Sequence, residues 1–143
     1  MEQEDFIKRQ IDQLGRVLVK VLAGLTGLDA SGQSGESIET IDLMLKNELD
    51  IDLDTLLSMP EDKFIMTLQT SGNWSHRNAE MLADIMFILA EEGDFSRAMV
   101  PRQEKLYKHA LAVYQYVDRT CLTYSFERQR KLEKIKSIFL HGS

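Results

Sequence analysis

The sequence predicts an all-α fold, a multi-helix bundle, on three observations. Between Ile7 and Leu28 the apolar residues Ile7, Ile11, Leu14, Leu18, Val21, Leu25 and Leu28 fall alternately four and three apart, the 3.5-residue period of a helix with one continuous seam. Later apolar segments keep a helical period, and no run alternates with the two-residue period of a half-buried strand. The 143 residues suffice for one domain that buries roughly two-thirds of its unfolded surface without a disulfide or structural metal.

The chain divides into an N-terminal amphipathic helix over residues 1–28, a flexible linker over 29–36 and a helical body over 37–143. Asp5 is the expected N-cap of the first helix. Val17 and Leu22 widen its seam, and Gly15 stands where a coiled coil would place a flanking charge, so the helix suits a multi-helix core better than a solitary two-stranded coil. Seven aliphatic side chains at ~1.5–3 kcal/mol each represent a gross drive on the order of 10–20 kcal/mol to bury that face. It has two possible covers: its own body, or a second copy of the chain. The seam from Ile7 to Leu28 is therefore the candidate self-association face, and the Gly/Ser-rich "DASGQSGE", Asp29 to Glu36, would let it reach a neighbour.

The body opens with a helix over Ser37 to Leu49, with Ile38, Ile41, Leu45 and Leu49 inward. A short helix over Leu53 to Ser58 follows, then one opened by Pro60, which suits a first helical position, and closed near Gly72. Ser75 caps a helix running to Glu91, with Leu82, Ile85 and Leu89 on its core side, and Gly93 ends it. The next spans Ser96 to Arg119, with Pro101 either bending its first turn or marking its true start. The last runs from Ser125 as N-cap to Leu140, with Leu132, Ile135, Ile138 and Phe139 inward.

Four features invite a chemical reading. In "NELDIDLDTLLSMPED" the acids Asp50, Asp52, Asp54 and Glu61 occupy the first, third, fifth and twelfth places of a calcium-binding loop. The sixth place requires glycine for a sharp turn and holds Thr55, while Leu56 to Pro60 read as a helical turn and a stop, so Asp52 or Asp54 is expected to cap a helix rather than bind an ion. His76, Glu80 and Asp84, at i, i+4 and i+8, place an imidazole and two carboxylates on one helix face; a solvated face is the expected reading, with a metal-dependent enzyme as the remaining alternative. Cys121, the lone cysteine, has no sequence-adjacent histidine and reads as a small core residue. The aromatics Tyr107, Tyr114, Tyr116, Tyr124 and Phe126 are expected in the core and at helix crossings, with a ligand cleft as the alternative. No catalytic residue, metal or cofactor is expected.

Charge narrows the partners. Residues 102–136 carry nine Lys/Arg against four Asp/Glu, whereas the remainder carries eight against nineteen. Without a docking motif the basic third does not predict nucleic-acid binding, and the two halves are expected to attract one another within the fold or across a dimer. The acidic opening "MEQEDF" is unlike a secretory signal, no apolar run reaches the ~18 residues of a spanning helix, and the expected location is the cytoplasm.

The run "EKLYKHALAVY", Glu104 to Tyr114, resembles the second helix of a tetratricopeptide repeat, with Tyr107 and Ala110 at its large and small packing positions. "MLADIMFILAEEGD" resembles the helix before it. Gln103 replaces the motif's alanine and no second copy follows at a 34-residue spacing, so the resemblance implies a hairpin and not a solenoid. The segments "EDFIKRQIDQLGRVLVKVLAGLTGL", "LDIDLDTLLSMPED" and "TYSFERQRKLEKI" together resemble a small helical family of uncharacterised bacterial proteins, mostly from Gram-positive anaerobes. That family implies no activity. The expected function is a non-catalytic helical interaction or scaffold protein, self-associating as a homodimer or larger assembly, with an unidentified protein partner possible. The alternative is a membrane-surface protein using the basic flank Lys8, Arg9, Arg16 and Lys20 of the first helix.

Overall fold

The computed structural model describes residues 2–30, 43, 45–47, 52–70, 74–91 and 101–141, and every element among them is an α-helix. The helices labelled here are α1 (Glu2–Ala30), α2 (Leu53–Ser58), α3 (Glu61–Thr70), α4 (His76–Glu91), α5 (Pro101–Thr120) and α6 (Phe126–His141). Residues 43 and 45–47 are helical as well, with Leu45 fully buried.

Local chemistry accounts for most of the helix starts. The Asp52 carboxylate accepts the Thr55 N–H at 3.4 Å and begins α2, so this aspartate is a cap, as the sequence indicates. The Ser75 hydroxyl accepts the Asn78 N–H at 3.1 Å, and the Ser125 hydroxyl accepts that of Arg128 at 3.2 Å. Pro60 stands just outside α3, where its carbonyl receives the Phe64 N–H. At the N-terminus the expectation is corrected: α1 begins at Glu2, so Asp5 is interior and not the cap. Acidic residues in a first turn complement the positive end of the helix dipole. At its other end α1 continues through Asp29 and Ala30, two residues into the expected linker. The rest of that linker, and the expected caps Gly72 and Gly93, lie outside the described residues.

The bundle is organised around α4. Ten of its sixteen residues are buried, which a helix covered on one side alone cannot achieve. One cover is α1 and the other is α5. Helices α4 and α5 run antiparallel, since the Gln103 amide donates to the Ala90 carbonyl at one end while Thr120 meets His76 at the other. Helices α2, α3 and α6 pack on α5. Tyr107, Ala110 and Tyr114 of α5 are fully buried in this core, with Tyr107 meeting Phe87 and Phe139 edge to face. His109, also buried, has its ring nitrogens 2.9 Å from the Lys105 and Met59 carbonyl oxygens and so ties α5 to the turn before α3.

Helix α1 comes close to α4 at Gly15. A Cβ there would stand 2.9 Å from the Asn78 amide oxygen, while the Asn78 amide nitrogen donates to the Ile11 carbonyl at 2.9 Å. The glycine that disfavours a coiled coil thus admits a buried amide between two helices.

Candidate functional site

The helix face bearing His76, Glu80 and Asp84 is met by α6 rather than by solvent. Arg128, only 4% exposed, donates to Glu80 at 2.9 Å, to Asp118 at 3.2 Å and to the Thr123 carbonyl at 2.8 Å. Burial alone would lower the pKa of this guanidinium, but the hydrogen bonds and charges of Glu80 and Asp118 outweigh it and hold the value above the usual arginine range. One turn on, Asp84 takes Lys131 at 2.8 Å and the Tyr114 hydroxyl. Burial, then the Asp84 charge, drives the Tyr114 phenol far above its ordinary value. Glu91 completes the row by pairing with Lys134. Three acids of α4 therefore face three bases of α6. This is where the acidic and basic parts of the chain meet within the fold.

His76 takes a different partner, its Nε2 lying 2.9 Å from the Thr120 hydroxyl. The three residues proposed as metal ligands share a face yet are engaged by three different side chains, and among the described residues no group of three or more potential ligands converges. His76 and Cys121 line one cleft of about 360 Å³ together with Arg128. Among the described residues no hydrogen bond joins that histidine to the thiol. In the calcium-like stretch Asp54 pairs with Arg102 at 3.4 Å and Glu61 begins α3, a helix away from Asp52.

The candidate self-association seam divides. Leu18 and Val21 are fully buried against their own chain, and Leu14 is half-buried on the same core. The centre of the seam is an intrachain contact in this fold. Ile11 is half-buried, and the side chains of Ile7, Leu25 and Leu28 lie outside the described part. Lys8, Arg9, Arg16 and Lys20 are exposed, but the apolar face they flank turns inward at Leu18 and Val21. Among the aromatics, Tyr107, Tyr114 and Tyr116 are buried as expected, whereas Tyr124 and Phe126 are exposed. The correction has a simple cause: Tyr124 lies in the α5–α6 turn and Phe126 follows it, and among the described residues no helix covers them.

Two further grooves among the described residues are open to a partner, and sequence reasoning missed both. The first, about 420 Å³, runs between α1 and the start of α4 and is lined by Ile11, Asp12, Gly15, Arg16, Val19 and Arg77 among others. Among the described residues neither Arg16 nor Arg77 is paired with a carboxylate, and Val19 is exposed between them and solvent. The second, about 320 Å³, runs between α3 and α5 and is lined by Glu61, Asp62, Ile65, Met66, Gln69 and Arg119 among others. Here Glu61 and Asp62 form no ion pair among the described residues, and Met66 is exposed. Each groove joins an apolar floor to a rim of surplus charge, positive in the first and negative in the second. The first lies on the α4 side of the central hairpin and the second on its α5 side. Among the described residues no helix is long and apolar enough to cross a membrane. No protein-family model, curated protein or solved structure matches the chain.

Proposed function

We propose that the chain is a non-catalytic helical interaction protein of the cytoplasm that self-associates head to tail, the groove beside α1 of one copy receiving the α3 flank of the next. The observation that carries this reading is the opposite charge bias of two apolar grooves on different sides of the hairpin. Arg16 and Arg77 offer what Glu61 and Asp62 need, and Val19 and Met66 supply the apolar contact that makes such an encounter persist. A contact between two different patches is heterologous, so it closes into a ring or continues as a chain, the property of a scaffold. The reading keeps α1 at the interface but moves the contact from its apolar seam to its outer flank. The tetratricopeptide-like hairpin serves as the rigid spacer between the two grooves, and the chemistry requires no cofactor. Light scattering over a concentration series tests it: the mean mass should exceed one chain at tens of micromolar, and Arg16→Glu with Arg77→Glu should return it to a monomer. A concentration-independent monomer in the unmutated protein would refute it.

A further inference from the structure

We propose that the α5–α6 turn is a membrane-interface anchor, inserting Leu122 and Phe126 among lipid acyl chains with Tyr124 at the headgroup level. Leu122 is fully exposed, Phe126 is 80% exposed and Tyr124 64% exposed, and the two rings meet edge to face with centroids 5.1 Å apart. The turn that displays them is held from beneath. Arg128 grips the Thr123 carbonyl and Asp118, and the Ser125 hydroxyl caps α6, so the backbone that carries the three side chains is fixed.

Two features favour a bilayer over a second copy. At ~150–250 Å² for each aromatic side chain, scaled by its exposure, and a comparable area for leucine, the tip offers on the order of 400 Å². Two tips meeting symmetrically would bury on the order of 800 Å² in total, short of the ~1,200 Å² at which stable interfaces begin. Binding to a bilayer instead scales with the apolar area inserted, and attraction to anionic headgroups adds to it. The second feature is the surround. Arg119 ends α5, and Arg77 begins α4 at the same end of the hairpin; both are exposed and unpaired with carboxylates among the described residues. Long basic side chains beside an apolar tip, with a tyrosine between, form the layering that matches acyl chain, headgroup and phosphate. This anchor is distinct from the basic flank of α1, although its surround shares Arg77 with the first groove and Arg119 with the second.

Flotation with phosphatidylcholine vesicles, with and without phosphatidylglycerol, tests the proposal. The unmutated chain should float with both, and at high salt should stay bound to the zwitterionic vesicles, since insertion is apolar. Leu122→Ser with Phe126→Ser should lower the bound fraction at least tenfold while leaving the melting midpoint unchanged, both side chains being exposed. Lys8→Glu with Arg9→Glu should leave binding intact. The proposal fails if the unmutated protein does not float, or if the α1 charge reversal rather than the tip variant abolishes flotation. It fails equally if light scattering shows that the tip variant removes a dimer, which would assign the turn to contact between copies.

Discussion

Replacing Arg128 with alanine removes the side chain that joins α4, α5 and α6, and the structure sets the scale of the loss. The guanidinium is 4% exposed and satisfies Glu80, Asp118 and the Thr123 carbonyl at once. Removing one member of a fully buried ion pair costs ~3–5 kcal/mol, because the partner charge is left uncompensated. Here the stranded acids are not fully buried: the Glu80 side chain is 27% exposed and that of Asp118 37%, so water recovers part of the loss. The expected destabilisation is about 2–3 kcal/mol, a large share of the ~5–15 kcal/mol that holds a domain of this size together. At roughly 3 °C per kcal/mol, the midpoint of a thermal melt followed by circular dichroism falls by about 6–9 °C. Arg130→Ala is the control, since its pairing with Glu127 joins two side chains that are 73% and 71% exposed. That variant should change stability by less than about 0.5 kcal/mol. Lysine at position 128 keeps the charge but cannot fork to three acceptors, and should recover less than half of the loss. Equal midpoints for Arg128→Ala and Arg130→Ala would refute the reasoning.

Three further outcomes follow from the packing. Gly24→Ala should raise stability by about 0.5–1 kcal/mol through helix propensity, because among the described residues nothing outside its own helix backbone lies within 4 Å of its Cβ position, whereas Gly15→Ala should lower it by about 1 kcal/mol, the displaced Asn78 amide costing more than the propensity gain; urea denaturation compares the two. Leu18→Ala should cost about 2–5 kcal/mol in the same assay even at concentrations where the chain is monomeric, because the residue is buried within its own chain, and a near-neutral result would place that side chain at a contact between copies. The third concerns alkaline pH. Burial, then the Glu91 charge, pushes the Tyr107 phenol from 10.0 up to about 12, and Tyr114 is raised further, so the folded state keeps protons that the unfolded state releases. Their contribution is fully present below pH 10.0 and is lost as pH rises toward and past about 12; tyrosinate absorbance should show both rings still protonated at pH ~11 until the chain unfolds.

Features of the fold that depend on near neighbours were legible in the sequence. Asp52, Ser75 and Ser125 cap helices because a short side-chain acceptor needs only the backbone two or three residues on, and spacing exposes such arrangements directly. The burial of Leu82, Ile85 and Leu89 follows from period alone. Distant partners were not legible. The period places His76, Glu80 and Asp84 on one face, but the residues that answer the two acids, Arg128 and Lys131, stand 48 and 47 positions away, and no spacing rule names them. For the same reason the charge imbalance between the two parts of the chain forecast attraction without saying which helices would meet. The grooves are harder still, since each is the gap left between two helices and belongs to neither. Phe126 illustrates the limit at a helix end: at helical spacing it reads as core, yet beside a turn it meets the Tyr124 ring and stays exposed.

The proposed assembly rests on two different patches of one chain recognising each other, and mixing two charge-reversed variants probes that recognition. One variant carries Arg16→Glu with Arg77→Glu and presents two acidic grooves; the other carries Glu61→Lys with Asp62→Lys and presents two basic ones. Each alone should be monomeric by light scattering at tens of micromolar, because every possible contact sets like charge against like. Mixed in equal amounts they should regain the mass of an assembly, and added salt should weaken it. Monomers that stay monomeric on mixing, or a single variant that assembles as well as the unmutated chain, would contradict it.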